Sequence, residues 1–108
     1  MSGRVRLTFN GVEIRMAMRW GMPWLCLLDL SQVLGFDAAA TREGLEKADL
    51  WKKCFGEGGA ITMVPALSPF FLAALSEGQA ANYCAWVGNA LMPALCEMAK
   101  RGAITRNS

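Results

Sequence analysis

The helix-like stretch at residues 82–95 is the feature that most constrains the fold of this chain. Apolar residues recur in it at three- and four-residue steps, as at Tyr83 and Val87. That period predicts a helix with a broad apolar stripe, wide enough to be buried on more than one side. Pro93 lies inside the stretch, where its ring and its missing N–H disturb the turn that includes the carbonyl of Asn89. We therefore expect a long helix that kinks or ends near Pro93.

The length of the chain predicts one domain. A chain of 108 residues can bury a modest core of its own. Hydrophobic residues make up 54% of it, which indicates a tight core, an adhesive surface, or both. The formal net charge is only +2, so charge alone does not indicate nucleic-acid binding.

An Asn-Gly pair at positions 10 and 11 predicts a β-hairpin. It separates two runs, 4–9 and 12–16, in which apolar and polar residues alternate. Both turn residues tolerate positive φ, and a two-residue loop fixes the strand register. The expected pairs, which form one apolar face, are Phe9 with Val12, Leu7 with Ile14, and Val5 with Met16.

The opposite face of the predicted hairpin carries arginines. In the same register Arg6 lies opposite Arg15, and like charges that face each other directly are unfavourable. An anion could bind between them. Alternatively, the face is simply solvated and Glu13 partly neutralises it, which is the interpretation we favour.

After the hairpin, the sequence predicts short elements of secondary structure. We expect a turn at residues 19–23, a strand at 24–28, and helices at 29–35 and about 38–48. Asp29 and Asp37 would accept backbone N–H groups at the two helix starts, and Gly35 suits a left-handed stop. The pair resembles a helix-turn-helix in outline, but its second helix offers few base-reading side chains, so a structural pair of helices is favoured.

A charged and aromatic segment follows, with Trp51 and Phe55 beside Lys52 and Lys53. These side chains could bind phosphate and stack on a base, or they could pin a loop to the core, which we favour. A strand is expected at residues 60–64. Ser68 would cap a largely buried helix that starts at Pro69.

Several classes of protein are not supported by the sequence. The uncharged run at residues 58–76 contains prolines and is interpreted as a strand and a helix, not a membrane span. Four cysteines form no CxxC pair and there is no histidine, so no zinc site or other cofactor is expected. No phosphate-binding loop or supported nucleophile occurs, so we expect no enzyme. The polar N-terminus lacks a signal sequence, which favours free thiols in a reducing cytoplasm.

The order of several short motifs resembles that of the Bro-N domain, the N-terminal module of baculovirus BRO proteins and of many phage antirepressors. The matching residues are Gly21-Met22-Pro23-Trp24, Asp29-Leu30, Leu34-Gly35-Phe36, Trp86-Val87 and Pro93-Ala94-Leu95. The resemblance covers residues 9 to 95. It implies a small α+β domain, which we place at residues 4–99. Lys100, Arg101 and Arg106 then end the chain in a basic, flexible tail at 100–108. The resemblance also implies DNA binding or antirepressor activity, a viral or prophage origin, and therefore the cytoplasm of a host cell.

We therefore predict a small single α+β domain: an N-terminal β-hairpin and short strands pack against several helices, and the long C-terminal helix comes last. Two functions remain open. A DNA-binding regulator would make phosphate contacts through Arg4, Arg6, Arg15, Arg19, Lys52, Lys53, Lys100 and Arg101. A protein-binding module would bind a repressor, or it would block a host factor as an anti-defence protein does. Its contact surface would consist of apolar parts of Phe70, Phe71, Met92 and Met98. A homodimer through the same apolar surface is compatible with either function.

Overall fold

The computed structural model describes residues 7–54 and 58–100. Within these ranges the chain forms an antiparallel sheet and a two-stranded hairpin, packed against helices in a mixed α+β domain. The strands are β1 Thr8–Phe9, β2 Val12–Glu13, β3 Met16–Arg19, β4 Met22–Cys26, β5 Trp51–Cys54 and β6 Ala60–Pro65. The α-helices are α1 Leu27–Leu34, α2 Ala38–Glu43, α3 Pro69–Ala74, α4 Glu77–Trp86 and α5 Met92–Lys100. The predicted fold class is therefore confirmed.

The N-terminal hairpin has the predicted register where it is described. Phe9 pairs with Val12, and the N–H of Ile14 donates to the carbonyl of Leu7 at 2.8 Å. Asn10 and Gly11 both have positive φ, as the two-residue turn requires. The apolar face is confirmed too, because the side chains of its five described residues contribute to or pack against the core. Val5 and Arg6 lie outside the described residues.

A second tight hairpin follows at once. Arg19 pairs with Met22, so the turn consists of Trp20 and Gly21 alone, with φ of 56° and 71°. The expectation of a five-residue turn at 19–23 and a strand beginning at Trp24 was wrong. Sequence reasoning missed the hairpin because tryptophan is an unusual residue at positive φ.

The four-stranded sheet has the order β3-β4-β6-β5, and every neighbouring pair is antiparallel. One face, which includes Leu25 and Val64, packs on the main core beneath the helices. The other, outer face carries a separate small cluster of Trp24, Cys26 and Met63. Both faces therefore bury side chains. On the outer face, the residues that pack against the buried cluster also belong to strands of the sheet: Ala17, Trp51 and Ile61.

Helix α1 begins earlier than expected and is not capped by Asp29. Its N-cap residue is Cys26, which makes no side-chain capping bond, and Asp29 instead binds Arg15. The predicted stop is confirmed, since Gly35 has a φ of 81°. Asp37 caps α2 as predicted, with Oδ1 accepting from the N–H of Ala40 at 3.1 Å. Helix α2 then ends at Glu43, well before residue 48, and a short 3₁₀ turn covers Lys47–Asp49.

Two further expectations need correction. The charged segment after the 3₁₀ turn is an edge strand, β5, and not a loop. Helix α3 starts at Pro69 and is capped by Ser68 as predicted, but of its residues only Phe71 is buried. A helix of six residues makes fewer than two turns, so it presents only a narrow face to the core.

The long C-terminal helix runs from Glu77 to Lys100 through one widened turn. Residues Val87–Leu91 form a π-helical turn, in which the N–H of Met92 donates to the carbonyl of Val87. This turn lies directly before Pro93, the residue that cannot donate to the carbonyl four positions earlier. Of the two outcomes expected near Pro93, an end of the helix is therefore wrong, because the helix continues through the widened turn to Lys100. The helix starts at a capping box of Ser76 and Gln79, so it begins several residues before the predicted stretch at 82–95.

The long helix contacts both the N-terminal hairpin and the end of α1. The indole N–H of Trp86 donates to the carbonyl of Thr8 at 2.9 Å, and its ring stacks on Phe9 at 4.9 Å. The side chain of Gln79 donates to the carbonyl of Leu34 at 3.0 Å and so satisfies the end of α1. The apolar period of the helix is therefore used for core packing.

The outward side of the long helix carries no charge between Glu77 and Glu97. Its exposed residues there are Gly78, Ala81, Asn82, Cys84, Ala85, Gly88, Asn89, Met92, Pro93 and Cys96. Across residues 7–54 and 58–100, no helix combines the length with the apolar character needed to cross a bilayer.

A candidate binding surface on the outer face of the sheet

The guanidinium of Arg19 lies among three tryptophan rings on the outer face. Its Cζ atom is 4.0 Å from the ring centre of Trp20, 4.8 Å from that of Trp51 and 5.4 Å from that of Trp24. All three distances lie within the range of cation–π attraction. Residues from strands β3, β4 and β5 and from one turn thus form a single cluster.

The rings also contact one another. Trp24 meets Trp51 edge-to-face at 5.6 Å and Trp20 at 6.3 Å, and its indole N–H donates to the carbonyl of Arg19 at 3.3 Å. Trp24 is 1% exposed, so it is the fixed centre of the cluster. Edge-to-face contacts of this kind add about 0.5–1.5 kcal/mol each to the burial of the rings.

Trp20 differs from the other rings because it is 74% exposed. Its backbone is left-handed, with a φ of 56°, a conformation that costs about 1–2 kcal/mol for a residue with a side chain. Trp20 therefore carries a conformational cost and buries little surface in return. Residues held in unfavourable conformations are common at binding sites, which makes Trp20 the strongest candidate contact residue on this face.

Lys53 completes what we call the tryptophan face, which consists of Arg19, Trp20, Trp24, Trp51 and Lys53. Its ammonium lies 5.7 Å from the ring centre of Trp51. Lys52 pairs with Thr62 and, by strand alternation, points to the opposite side of the sheet. Of the three basic residues predicted in this region, the structure therefore brings Arg19 and Lys53 together and separates Lys52 from them.

Arg15, another predicted DNA contact, forms an ion pair with Asp29. Its backbone N–H donates to Asp29 Oδ2 at 2.9 Å, its Nε to the same oxygen at 3.0 Å and its Nη2 to Oδ1 at 3.0 Å. Burial alone would raise the pKa of the Asp29 carboxyl, but these bonds outweigh it and hold the pKa below its usual value. The same bonds raise the pKa of Arg15. The sequence placed Arg15 opposite Arg6 and allowed an anion to bind between them. In the structure the anion that binds Arg15 is the carboxylate of Asp29.

The buried thiol of Cys26 lies beside this ion pair. Arg15 Nη2 is 3.4 Å from its sulfur, and burial is the main reason why the pKa of the thiol is raised. The other three cysteines are exposed and free: Cys54, Cys84 and Cys96. In the described part of the chain, no group of three or more metal-binding side chains could hold an ion.

The remaining predicted contacts are scattered. Lys100 ends α5, while Arg4, Arg6 and Arg101 lie outside the described residues. In the apolar set, Phe70 and Met92 are 48% and 45% exposed and stay candidates.

Two members of the apolar set belong to the core instead. Phe71 is 0% exposed, and its ring packs against Phe36 and Tyr83. Met98 is 9% exposed. Both predictions as surface contacts were wrong, because the helices turn these positions inward.

Sequence reasoning missed Trp20 and Trp24 as members of a site. The signal was present in the segment that contains them, where Gly21 follows Trp20 between two apolar-rich runs, a pattern compatible with a two-residue hairpin. A tryptophan in such a turn is exposed at a hairpin tip. Arg19 directly precedes Trp20 in the chain, so the contact between their side chains could have been inferred once the turn was recognised.

No protein-family model, no curated protein and no solved structure matches this chain. The resemblance to the Bro-N domain therefore stays a hypothesis based on the sequence motifs.

Proposed function

We propose that the chain is a regulatory DNA-binding module without enzymatic activity, of the phage antirepressor type that its motifs resemble. The tryptophan face would be the contact surface. The observation that carries this proposal is Trp20, a ring that is 74% exposed and has the guanidinium of Arg19 stacked 4.0 Å from its centre.

Two kinds of contact support the proposal. Arginine and lysine bind phosphate groups, and exposed aromatic rings stack on bases or pack against sugars. Arg19, Lys53 and Trp20 offer both on one surface. Because Arg15 already binds Asp29, few phosphate contacts are available, and we expect modest affinity with a shallow dependence on salt.

The test is fluorescence anisotropy of a labelled, mixed-sequence duplex at low and at near-physiological salt. The variants are Trp20→Ala, Arg19→Ala and, as a control with the same charge change away from the tryptophan face, Arg42→Ala. We expect each of the two face variants, Trp20→Ala and Arg19→Ala, to weaken binding by a similar factor whatever the sequence of the duplex. Arg19→Ala should also lower the slope of log affinity against log salt by about 1.

Two results would contradict the proposal. One is the absence of binding by the wild-type protein even at low salt. The other is equal weakening by Arg19→Ala and Arg42→Ala, which would mean that only the net charge matters.

A second candidate function is that of a small protein-binding inhibitor which binds no DNA and acts on a repressor or another host protein. Exposed apolar side chains favour it: Leu67 is 64% and Phe70 is 48% exposed, and they lie close together in the chain. Tryptophan and arginine are also the residues most often found at the energetic centre of protein interfaces, so the tryptophan face fits this candidate as well.

A further inference from the structure

A cavity of about 260 Å³ opens between the β3–β4 hairpin and the segment that joins β6 to α3. It is lined by Met22, Pro23, Asp49, Pro65, Ala66, Leu67, Ser68 and Pro69. A cavity of about 150 Å³ suffices for benzene, whereas drug-sized ligands need roughly 300–1,000 Å³. The volume therefore suits one leucine- or phenylalanine-sized side chain and not a cofactor.

The wall of the cavity is poor in hydrogen-bond donors. Three of its residues are prolines, which have no N–H. The N–H of Ala66 donates to the carbonyl of Pro23 at 3.0 Å, and that of Ser68 to the carbonyl of Pro65 at 3.2 Å. A ligand must therefore bring its own donors or be apolar.

Asp49 is the one charged residue among those that line the cavity. Its Oδ2 accepts a hydrogen bond from the hydroxyl of Ser68, the residue that also caps α3. Its Oδ1 has no hydrogen-bond partner among the described residues. The cavity thus has an apolar wall and, at Asp49, a carboxylate oxygen that can still accept a hydrogen bond.

The rim of the cavity extends its apolar surface. Met22 is 42% exposed and Leu67 is 64% exposed, and Phe70 follows the lining residue Pro69 directly. Large apolar side chains around a pocket of this size are typical of sites that hold one anchor side chain of a protein partner.

We propose that this cavity binds a segment of a protein partner in which an apolar side chain adjoins an arginine. The apolar side chain enters between Met22 and Leu67, and the guanidinium meets Asp49. Charge complementarity selects the arginine, because the cavity offers a carboxylate and no cation of its own. The proposal gives a site to the protein-binding candidate and does not depend on DNA binding.

The test uses a blocked dipeptide, N-acetyl-leucyl-arginine amide, titrated into protein labelled with ¹³C at its methionine methyl groups. The control peptide carries citrulline, which has nearly the shape of arginine but no charge. Met22 reports on the cavity. Met92 is the internal control, since it is 45% exposed against 42% for Met22 and does not line the cavity. The Met22→Leu variant assigns the signal.

We expect a saturable shift of the Met22 methyl alone, with about two- to five-fold weaker binding of the citrulline peptide, which is the range of a partly exposed ion pair. Asp49→Asn, which can still accept from Ser68, should remove the difference between the peptides. Leu67→Arg should block the cavity without unfolding the protein, because Leu67 is 64% exposed.

Three outcomes would overturn the proposal: no shift at Met22, equal shifts at Met22 and Met92, or equal affinity for the two peptides. None of them bears on the anisotropy experiment with the duplex. Failure of this site and failure of the DNA proposal are therefore distinguishable.

Discussion

Replacing Asp29 by asparagine tests whether the Arg15–Asp29 pair serves the fold. Asp29 accepts three hydrogen bonds from Arg15, at 2.9, 3.0 and 3.0 Å, and is 7% exposed. Asparagine keeps one oxygen and sets an NH₂ donor against a guanidinium donor. At least one bond is lost, and the others lose their charge assistance.

The expected loss follows from these contacts. A hydrogen bond to a charged group contributes about 1.5–3 kcal/mol and a neutral one about 0.5–1.5 kcal/mol. The side chain of Arg15 is 36% exposed, so its charge can still reach water after the change, which limits the cost. We expect Asp29→Asn to lower the free energy of unfolding by about 2–3 kcal/mol and Tm by about 10–20 °C.

Urea and thermal unfolding followed by circular dichroism measure this loss. Asp37→Asn is the matched control, because Asp37 caps α2 and asparagine caps a helix about as well as aspartate does. A loss of less than about 0.5 kcal/mol, the usual effect of a neutral surface change, would refute the reasoning.

The pH dependence gives an independent check. The pKa of Asp29 is lower in the folded protein than in the unfolded chain, so its stabilising effect is fully present above the unfolded value, about pH 4. It is lost as the pH falls through the lower, folded pKa. The stability difference between the wild type and Asp29→Asn should therefore shrink as the pH falls below about 4. A difference that stays constant would contradict the assigned role of the carboxylate.

Three further predictions concern buried and exposed groups. Tyr83→Phe should cost about 1–2 kcal/mol in urea unfolding, because the hydroxyl donates to the carbonyl of Ala66 in a buried site; an unchanged midpoint would count against this bond. Native protein should react with a thiol reagent at three cysteines and in denaturant at all four, since Cys26 is buried and the pKa of its thiol is raised; a rapid fourth reaction in the native state would show that the site opens. Trp20→Phe should remove most of the acrylamide-accessible tryptophan fluorescence, because Trp24 and Trp86 are only 1% and 8% exposed and the fourth tryptophan, Trp51, is partly buried against Trp24; retained quenching would place the accessible ring elsewhere.

Local rules predicted the parts of the fold that depend on a few neighbouring residues. The turn at Asn10 and Gly11, the cap at Asp37 and the stop at Gly35 each follow from the backbone conformations those residues allow. For the same reason, Pro93 was expected to kink or end the long helix. The structure has a widened turn from Val87 to Leu91 inside a helix that continues to Lys100, and both of these residues are buried.

Contacts between distant residues account for the errors. Asp29 fits the pattern of a cap, but Arg15, fourteen positions away, binds it in the folded chain. Phe71 and Phe70 are equally apolar, and their burial differs only because of how α3 meets the core. Much the same holds for the candidate surface: the sequence indicated Arg19 and Lys53 as basic residues, but their convergence on Trp51 requires the order of strands in the sheet.

The uncharged outward side of the long helix has a consequence for the behaviour of concentrated solutions. Nothing on that side repels a neighbouring molecule, and the whole chain carries a net charge of only +2 with an isoelectric point near 8.5. Colloidal repulsion is therefore weakest close to that pH, and attraction between molecules should appear there as a negative osmotic second virial coefficient. A lysine in place of the exposed Ala85 would put a charge near the middle of this side and leave the core untouched.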